Sequence, residues 1–420
     1  MKALDSSVAT KCALLVLKIA SRCNLNCTYC YMYNLGDNTY RNQPKIMSDE
    51  VVDALLEKVK NHCVKHGIQV FDFNFHGGEP LLVGHQFFEK FVSKANKILL
   101  PFTTPIFSIQ TNGTLLDEEW CNLLGTLNIH LGISLDGTAE INDMYRIDHA
   151  GKGSYKDIIR GIETAMASDK LLNPPGLLSV INIKSNPVEV YNHFLKINPH
   201  NVDFLIPDAN YDSPPMKPEY LSDRPYADWL IQIFDMWFAE KKPFGVNLFE
   251  SLVSAILGKG DQCDILGGTN KELLVIETNG GIEPVGQLKI CKNGFTKIGI
   301  NVIGNELDEA FDNDLGLLFH LSGQKTCQFC KACPILNICG GGYLPHRFSK
   351  INGFNNPSVY CKDLLKLITH IQNKLFDAIP EALLNEAGVS RLSFEKAEKM
   401  LKANEYPLDV EDKELELFAG

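Results

Sequence analysis

The sequence predicts an α/β protein: a parallel sheet able to curl into part of a barrel, followed by a smaller cysteine-rich region. Three observations predict it. Strand-like and helix-like runs alternate through the first half. Glycine- and cysteine-bearing turns follow several of the strands. From about Cys263 that alternation stops, and cysteine and glycine dominate.

The elements follow in order. Ala13–Ile19 is a short apolar run of the buried-strand type. Met47–Gly67 opens on Ser48 as a helix cap, places Val51, Val52, Leu55, Leu56, Val59 and Cys63 at helical spacing, and stops at Gly67. Phe71–Phe75 alternates apolar and polar residues and runs into Gly77-Gly78. Ile106–Ile109 and Ile129–Leu135 repeat the theme and close on Asn112-Gly113 and Asp136-Gly137. Leu177–Ile183 and Val202–Ile206 complete six strands, with helices such as Tyr155–Met166 between them. Such sheets place their chemistry in the loops at the C-terminal strand ends. The loops to inspect are therefore Cys23–Cys30, Gly77–Pro80 and Asp136-Gly137. Pro207–Pro225 reads as an irregular connection, Tyr226–Phe238 as a bridging helix, and Ser393 as the cap of a helix carrying Phe394, Ala397 and Leu401 on one face. The expected domains are 1–245, 246–375 and a helical tail, 376–420.

The chain has 420 residues, with 40 basic and 51 acidic side chains and a formal charge of −11. That balance is globular and argues against a general nucleic-acid binder. No apolar run has membrane-spanning length, and no signal-peptide core opens the chain, so a cytoplasmic location is expected. Thirteen cysteines in a reducing compartment read as metal sites rather than crosslinks. Cys12, Cys63 and Cys121 stand apart and read as core packing.

Cys23-x3-Cys27-x2-Cys30 occupies the loop after the first strand. A structural zinc site wants four protein ligands, and here there are three, with no histidine after them before His62. Three thiolates on a four-iron cluster leave one iron open. The loop closely resembles the signature of radical S-adenosylmethionine (SAM) enzymes. That resemblance implies a partial (β/α)6 barrel, a [4Fe-4S] cluster, and SAM bound at the open iron. It also carries site residues over. Gly77-Gly78-Glu79-Pro80 matches the loop that receives the SAM amine, with Glu79 able to accept from an ammonium. Ser134 matches the position that binds the SAM carboxylate, with Arg146 or Arg160 as the cationic partner. Tyr29 matches the aromatic position beside the adenine. His76 stands where sulfatase-maturing relatives have Gln.

Cys330-x2-Cys333-x5-Cys339 and then Cys361 give four thiolates in one segment. These residues alone fit a zinc ribbon or an iron–sulfur cluster equally. The segment resembles the SPASM extension of peptide-modifying radical SAM enzymes, which implies an auxiliary cluster on these cysteines. Tyr343 stands where that pattern has a further cysteine. Cys263, Cys291 and Cys327 remain as ligands for a second auxiliary cluster. In sulfatase-maturing relatives an Asp follows the cysteine matching Cys291 and acts as base; here Lys292 stands there, which counts against formylglycine formation.

The runs Cys339–Phe348, Asn356–Cys361 and Glu277–Pro284 resemble maturases of ribosomal peptides that form cyclophanes. The expected activity is then a C–C crosslink between an aromatic ring and a side-chain Cβ of a small ribosomal precursor peptide. An electron donor such as flavodoxin or ferredoxin is implied, with no nucleic acid and no membrane. Asp208 is the chosen base, with Glu283 and Asp212 behind it. Thioether formation and sulfatase-type Ser/Cys oxidation are the alternatives on the same scaffold. A non-catalytic iron–sulfur or zinc protein is the alternative of another class. The first strand begins by about residue 13, so no separate leader-binding domain is expected ahead of the barrel.

Overall fold

The computed structural model describes residues 10–240, 243–259, 266, 270–386, 388, 390–403 and 412–420. Its strands are β1 Leu14–Ala20, β2 Val70–Gly77, β3 Thr104–Thr111, β4 Ile129–Ser134, β5 Gly176–Val180, β6 Asn201–Leu205, β7 Gly245–Val246, β8 Leu273–Ile276, β9 Gly281–Glu283 and β10 Ile300–Asn301. The first five helices are α1 Asp49–His66, α2 His85–Leu99, α3 Glu118–Thr126, α4 Ala139–Tyr145 and α5 Tyr155–Ala167. All six expected strands are present, within a few residues of their expected ends.

The chain divides into two compact units. The first comprises residues 1–180, 199–202 and 271–320, and the second 181–198, 203–270 and 321–420. The expected boundary at 245/246 does not coincide with this division. The reason is a strand that the sequence reading passed over. The run Leu273–Ile276 is wholly buried and pairs in parallel with β1, Leu14 opposite Leu273 and Leu17 opposite Ile276. It carries residues 271–320 back into the first unit.

In that unit the strands run β10-β9-β8-β1-β2-β3-β4-β5. β1 through β5 are parallel neighbours. One face is apolar. Phe71, Phe73 and Phe75 of β2 are fully buried; Phe71 packs on Phe73, and Phe73 and Phe75 pack with Phe107 of β3 and with Phe88 and Phe91 of α2, ring centroids 5.0 to 6.1 Å apart. Burying a phenylalanine side chain is worth roughly 1.5–3 kcal/mol, so this aromatic wedge is a main anchor of helix on sheet. The opposite face is polar: Asp72, Asn74 and His76 of β2, Ser108 and Gln110 of β3 and Ser134 of β4 are only half-buried. The two-residue period of a strand separates these faces.

α1 is bounded as its residues dictate. Ser48 accepts from the Val51 N–H at 3.3 Å, and Gly67 ends the helix in the left-handed region at φ 65°. Cys12, Cys63 and Cys121 are each at most 1% exposed, consistent with core packing. In the second unit, helix Pro225–Ala239 packs beside helix Cys361–Asp377, and the Asp363 carboxylate accepts from the first N–H groups of the former, Tyr226 and Ala227, at 3.0 Å each. The expected cap at Ser393 also forms, accepting from the Lys396 N–H at 3.2 Å.

Candidate active site

Cys23, Cys27 and Cys30 sit in the loop leaving β1, all half-buried and none in a disulfide. Local bonds hold the loop open. Asn26 and Thr28 donate backbone N–H groups to Ile147 and Tyr145 carbonyls at 2.7 and 3.0 Å, and the Leu25 N–H points at Cys23 Sγ, 3.4 Å away. Burial pushes the Cys23 thiol up to about 12, helped by Glu79, and Cys30 up to about 11. Such thiols ionise when a metal takes the proton's place.

Three thiols converge in this loop, one fewer than the four protein ligands of a closed zinc site.

The Gly77–Pro80 loop is zipped onto this one. The Gly78 N–H donates to Ala20 O at 2.7 Å, and the Glu79 N–H to Arg22 O at 2.9 Å. Gly77 lies at φ 143°, and a Cβ there would stand 2.2 Å from Ala20 O; one on Gly78 would stand 2.2 Å from Arg22 O. The glycines therefore serve loop-on-loop contact. Glu79 is held by its own network. Its carboxylate is 0% exposed and accepts from Thr111 Oγ1 (2.6 Å), Asn112 N (2.8 Å) and Leu81 N (3.0 Å). It ties the β2 and β3 loops together.

The structure separates the two candidate arginines. Arg146 is 6% exposed and donates to Tyr29 Oη at 2.8 Å, while that hydroxyl donates to Asp136 Oδ2 at 2.6 Å. Burial alone would lower Arg146, but Tyr29, Cys27 and Asp136 outweigh it and hold its proton on. Its Nε is buried without a partner. Arg160, by contrast, donates to Thr114 O at 2.7 Å and pairs with Asp157, its side chain 59% exposed. Ser134 Oγ accepts from Gln110 Nε2 at 3.0 Å on the polar face. Tyr29 is fixed by its hydroxyl in the Asp136–Arg146 bridge. Asp136 was not singled out from sequence as a side chain; its place after β4 was the available signal.

Lys18 was also missed, although a lysine inside the run Ala13–Ile19 was a visible anomaly. It is 0% exposed and registers opposite His76. Its Nζ donates to Tyr31 Oη (2.6 Å) and to His76 Nδ1 (3.0 Å). Burial, with the Lys18 charge, pulls His76 down to about 3, so the ring is neutral.

In the second unit Cys330, Cys333, Cys339 and Cys361 line one small cavity, walled also by Phe329, Ile335 and Leu365. Four thiols round one cavity fit a fully protein-ligated metal centre. Cys327 sits beside Cys330, which holds its thiol down at about 7. Cys291 is buried in the first unit. Cys263 lies outside the described residues, so a ligand set joining Cys263, Cys291 and Cys327 remains an expectation from sequence.

Of the candidate bases, Asp208 is half-buried, and burial pushes its carboxyl up to about 7. Glu283 is already engaged, 2.6 Å from Lys289 Nζ, with Glu277 on the same ammonium at 3.1 Å. Asp212 is exposed and accepts from the Lys350 N–H at 3.1 Å. Lys292 is exposed. A further convergence, His62, His66 and Asp308, is a docking network: both imidazoles reach Asp308 Oδ1 at 2.9 and 2.8 Å while Lys65 takes Oδ2 at 2.8 Å.

A family model described as the radical SAM superfamily matches residues 17–176. Over 357 residues the chain is 29% identical to the cysteine-type anaerobic sulfatase-maturating enzyme of Clostridium perfringens (strain 13), covering 83% of this chain and 93% of that one. It is 25% identical over 397 residues to the serine-type enzyme of Bacteroides thetaiotaomicron, covering 90% and 94%. Native anSMEcpe with bound AdoMet superposes with a TM-score of 0.75 at 27% identity, covering 87% of this chain and 98% of that one. Streptococcus suis SuiB bound to S-adenosylmethionine shares the fold alone, with a TM-score of 0.53 at 16% identity over 80% and 74% of the two chains.

Proposed function

On the premise that residues 17–176 form a radical SAM domain, we propose that this chain is an oxidative maturase that removes hydrogen from a Cys or Ser side chain of a peptide or protein. The observation that carries it is the Cys23–Cys27–Cys30 loop, half-buried, free of disulfides and joined by backbone hydrogen bonds to the Gly77–Glu79 loop. Similarity to cysteine- and serine-type sulfatase-maturating enzymes over most of both lengths supports side-chain oxidation. The aromatic-ring crosslink expected from sequence has no comparable support, because SuiB shares only the fold.

With a cluster on Cys23, Cys27 and Cys30, bound SAM supplies an adenosyl radical able to take a hydrogen atom from carbon. The residues around it hold and orient. The Gly77–Gly78 backbone would border the methionine end, Ser134 and Arg146 would offer a hydroxyl and a cation for its carboxylate, and Tyr29 would be the aromatic neighbour. The polar face of β2–β4 receives the peptide. Oxidising the substrate also releases one electron and one proton. The four cysteines around the second-unit cavity would hold the electron acceptor. Asp208 takes the proton, since a carboxyl near 7 is half-ionised where it works.

The test is anaerobic reconstitution with iron and sulfide, then reduction in the presence of SAM and the Kp18Cys peptide with which anSMEcpe was solved. Release of 5′-deoxyadenosine together with an aldehyde at the peptide's cysteine supports the proposal. Release with a ring closure mapped by fragmentation transfers it to the crosslink reading. No release from iron-loaded protein removes it.

A further inference from the structure

Arg347 is 1% exposed, among the largest fully buried side chains of the chain. Its guanidinium is spent on carbonyls: Nη1 donates to Ser322 O (2.9 Å) and Lys325 O (3.0 Å), and Nη2 to Gly340 O (2.7 Å) and Gly342 O. Among the described residues no carboxylate pairs with it, and its Nε is buried without a partner. Gly341 has no Cβ because one would meet the guanidinium at 3.0 Å.

A full positive charge buried among neutral dipoles costs several kcal/mol unless an anion compensates it. The groups that act on it electrostatically are the thiols of Cys330, Cys339 and Cys327. Carbonyls Gly340 and Gly342 flank the turn that follows Cys339, so the charge is fixed directly behind Gly341, which lines the four-cysteine cavity.

We propose that Arg347 sets the reduction potential of the iron–sulfur cluster held by Cys330, Cys333, Cys339 and Cys361, favouring its reduced state. This rests on the reading that the cavity takes a cluster. Reduction by one electron adds one negative charge to an already anionic thiolate-bound centre, and a fixed neighbouring cation stabilises that added charge. The electron comes from the oxidised substrate carbon, whose proton goes to the base. Arg347 acts through the cluster and is a positioning residue with an electrostatic duty.

The test is an anaerobic redox titration read by electron paramagnetic resonance on the full chain, with Cys23→Ala, Cys27→Ala and Cys30→Ala leaving the auxiliary signal alone. Arg347→Lys keeps the charge and loses the fork; Arg347→Gln keeps donors and loses the charge. We expect the Lys variant to titrate near the unsubstituted protein and the Gln variant at a clearly lower potential, iron content retained. Equal midpoints for Gln and Arg overturn the proposal. So does a Lys variant shifted as far as Gln, or loss of iron from both, which would make Arg347 a scaffold. A chain that shows the Gln shift yet releases no 5′-deoxyadenosine with its N-terminal cysteines intact leaves this inference standing and removes the proposed activity. Absence of an auxiliary signal from iron-loaded protein removes both this inference and the cluster reading of the cavity.

Discussion

Replacing Glu79 by Gln separates two accounts of the Gly-Gly-Glu-Pro loop. Oε1 accepts from Leu81 N and Thr111 Oγ1, and Oε2 from Asn112 N. An amide retains one acceptor. Its better orientation keeps the first pair and turns its NH2 toward the Asn112 N–H, losing one bond to a charged acceptor and stranding a buried donor. That costs about 3 kcal/mol. Burial raises the Glu79 carboxyl despite these three donors, so removing the charge returns part of the cost and leaves about 2 kcal/mol. In a chain of this size the loss corresponds to a thermal midpoint lower by about 2 °C. The assay is anaerobic thermal unfolding by circular dichroism, beside SAM affinity by equilibrium dialysis. We expect the midpoint to fall while affinity changes by less than the about tenfold that one lost ligand contact of 1.4 kcal/mol gives. An unchanged midpoint with tenfold weaker SAM binding would refute the structural account and restore Glu79 as an ammonium acceptor.

Other outcomes are open to measurement. Tyr29→Phe removes the hydroxyl between Asp136 and Arg146 and is expected to destabilise the first unit by about 2 kcal/mol, read in urea; an unchanged midpoint counts against the bridge. Cys339→Ala is expected to lower bound iron and abolish the auxiliary signal while the N-terminal one persists; loss of both signals would contradict independent sites. Asp208 accepts a proton only when ionised, so with its carboxyl pushed up to about 7 turnover is expected to fall as pH drops through that value. Asp208→Asn should abolish that limb while 5′-deoxyadenosine release without peptide continues, and a variant with the same pH profile would exclude this residue as the base.

Much of the frame was legible because it rests on local signals. Strand period, the Ser48 cap and the Gly67 stop each need only a few neighbouring residues. The cysteine spacings likewise announce their chemistry within one loop. What could not be read depends on partners distant in sequence. That Thr111 and Asn112 donate to Glu79 from the next strand is invisible in a linear string. Arg146 and Arg160 are equivalent in a linear string, and only the fold buries one beside Tyr29 and exposes the other. Leu273–Ile276 was lost because it is short and stands amid a cysteine-rich stretch, yet it completes the flank of β1. Lys18 and Arg347 show a detectable kind of oversight: a lone cation in an apolar or glycine-rich run signals a buried charge in search of company.

The return of residues 271–320 to the first unit constrains how the chain can be made. As the polypeptide leaves the ribosome, β1 gains β2 early, but its other edge stays bare until β8 emerges long afterwards. An uncovered edge rich in Leu, Val and Ile invites pairing with a neighbouring nascent copy. Fragments ending before Leu273 would therefore be sticky intermediates rather than autonomous barrels, and expression trials that trim the cysteine-rich half to simplify the molecule would produce insoluble material.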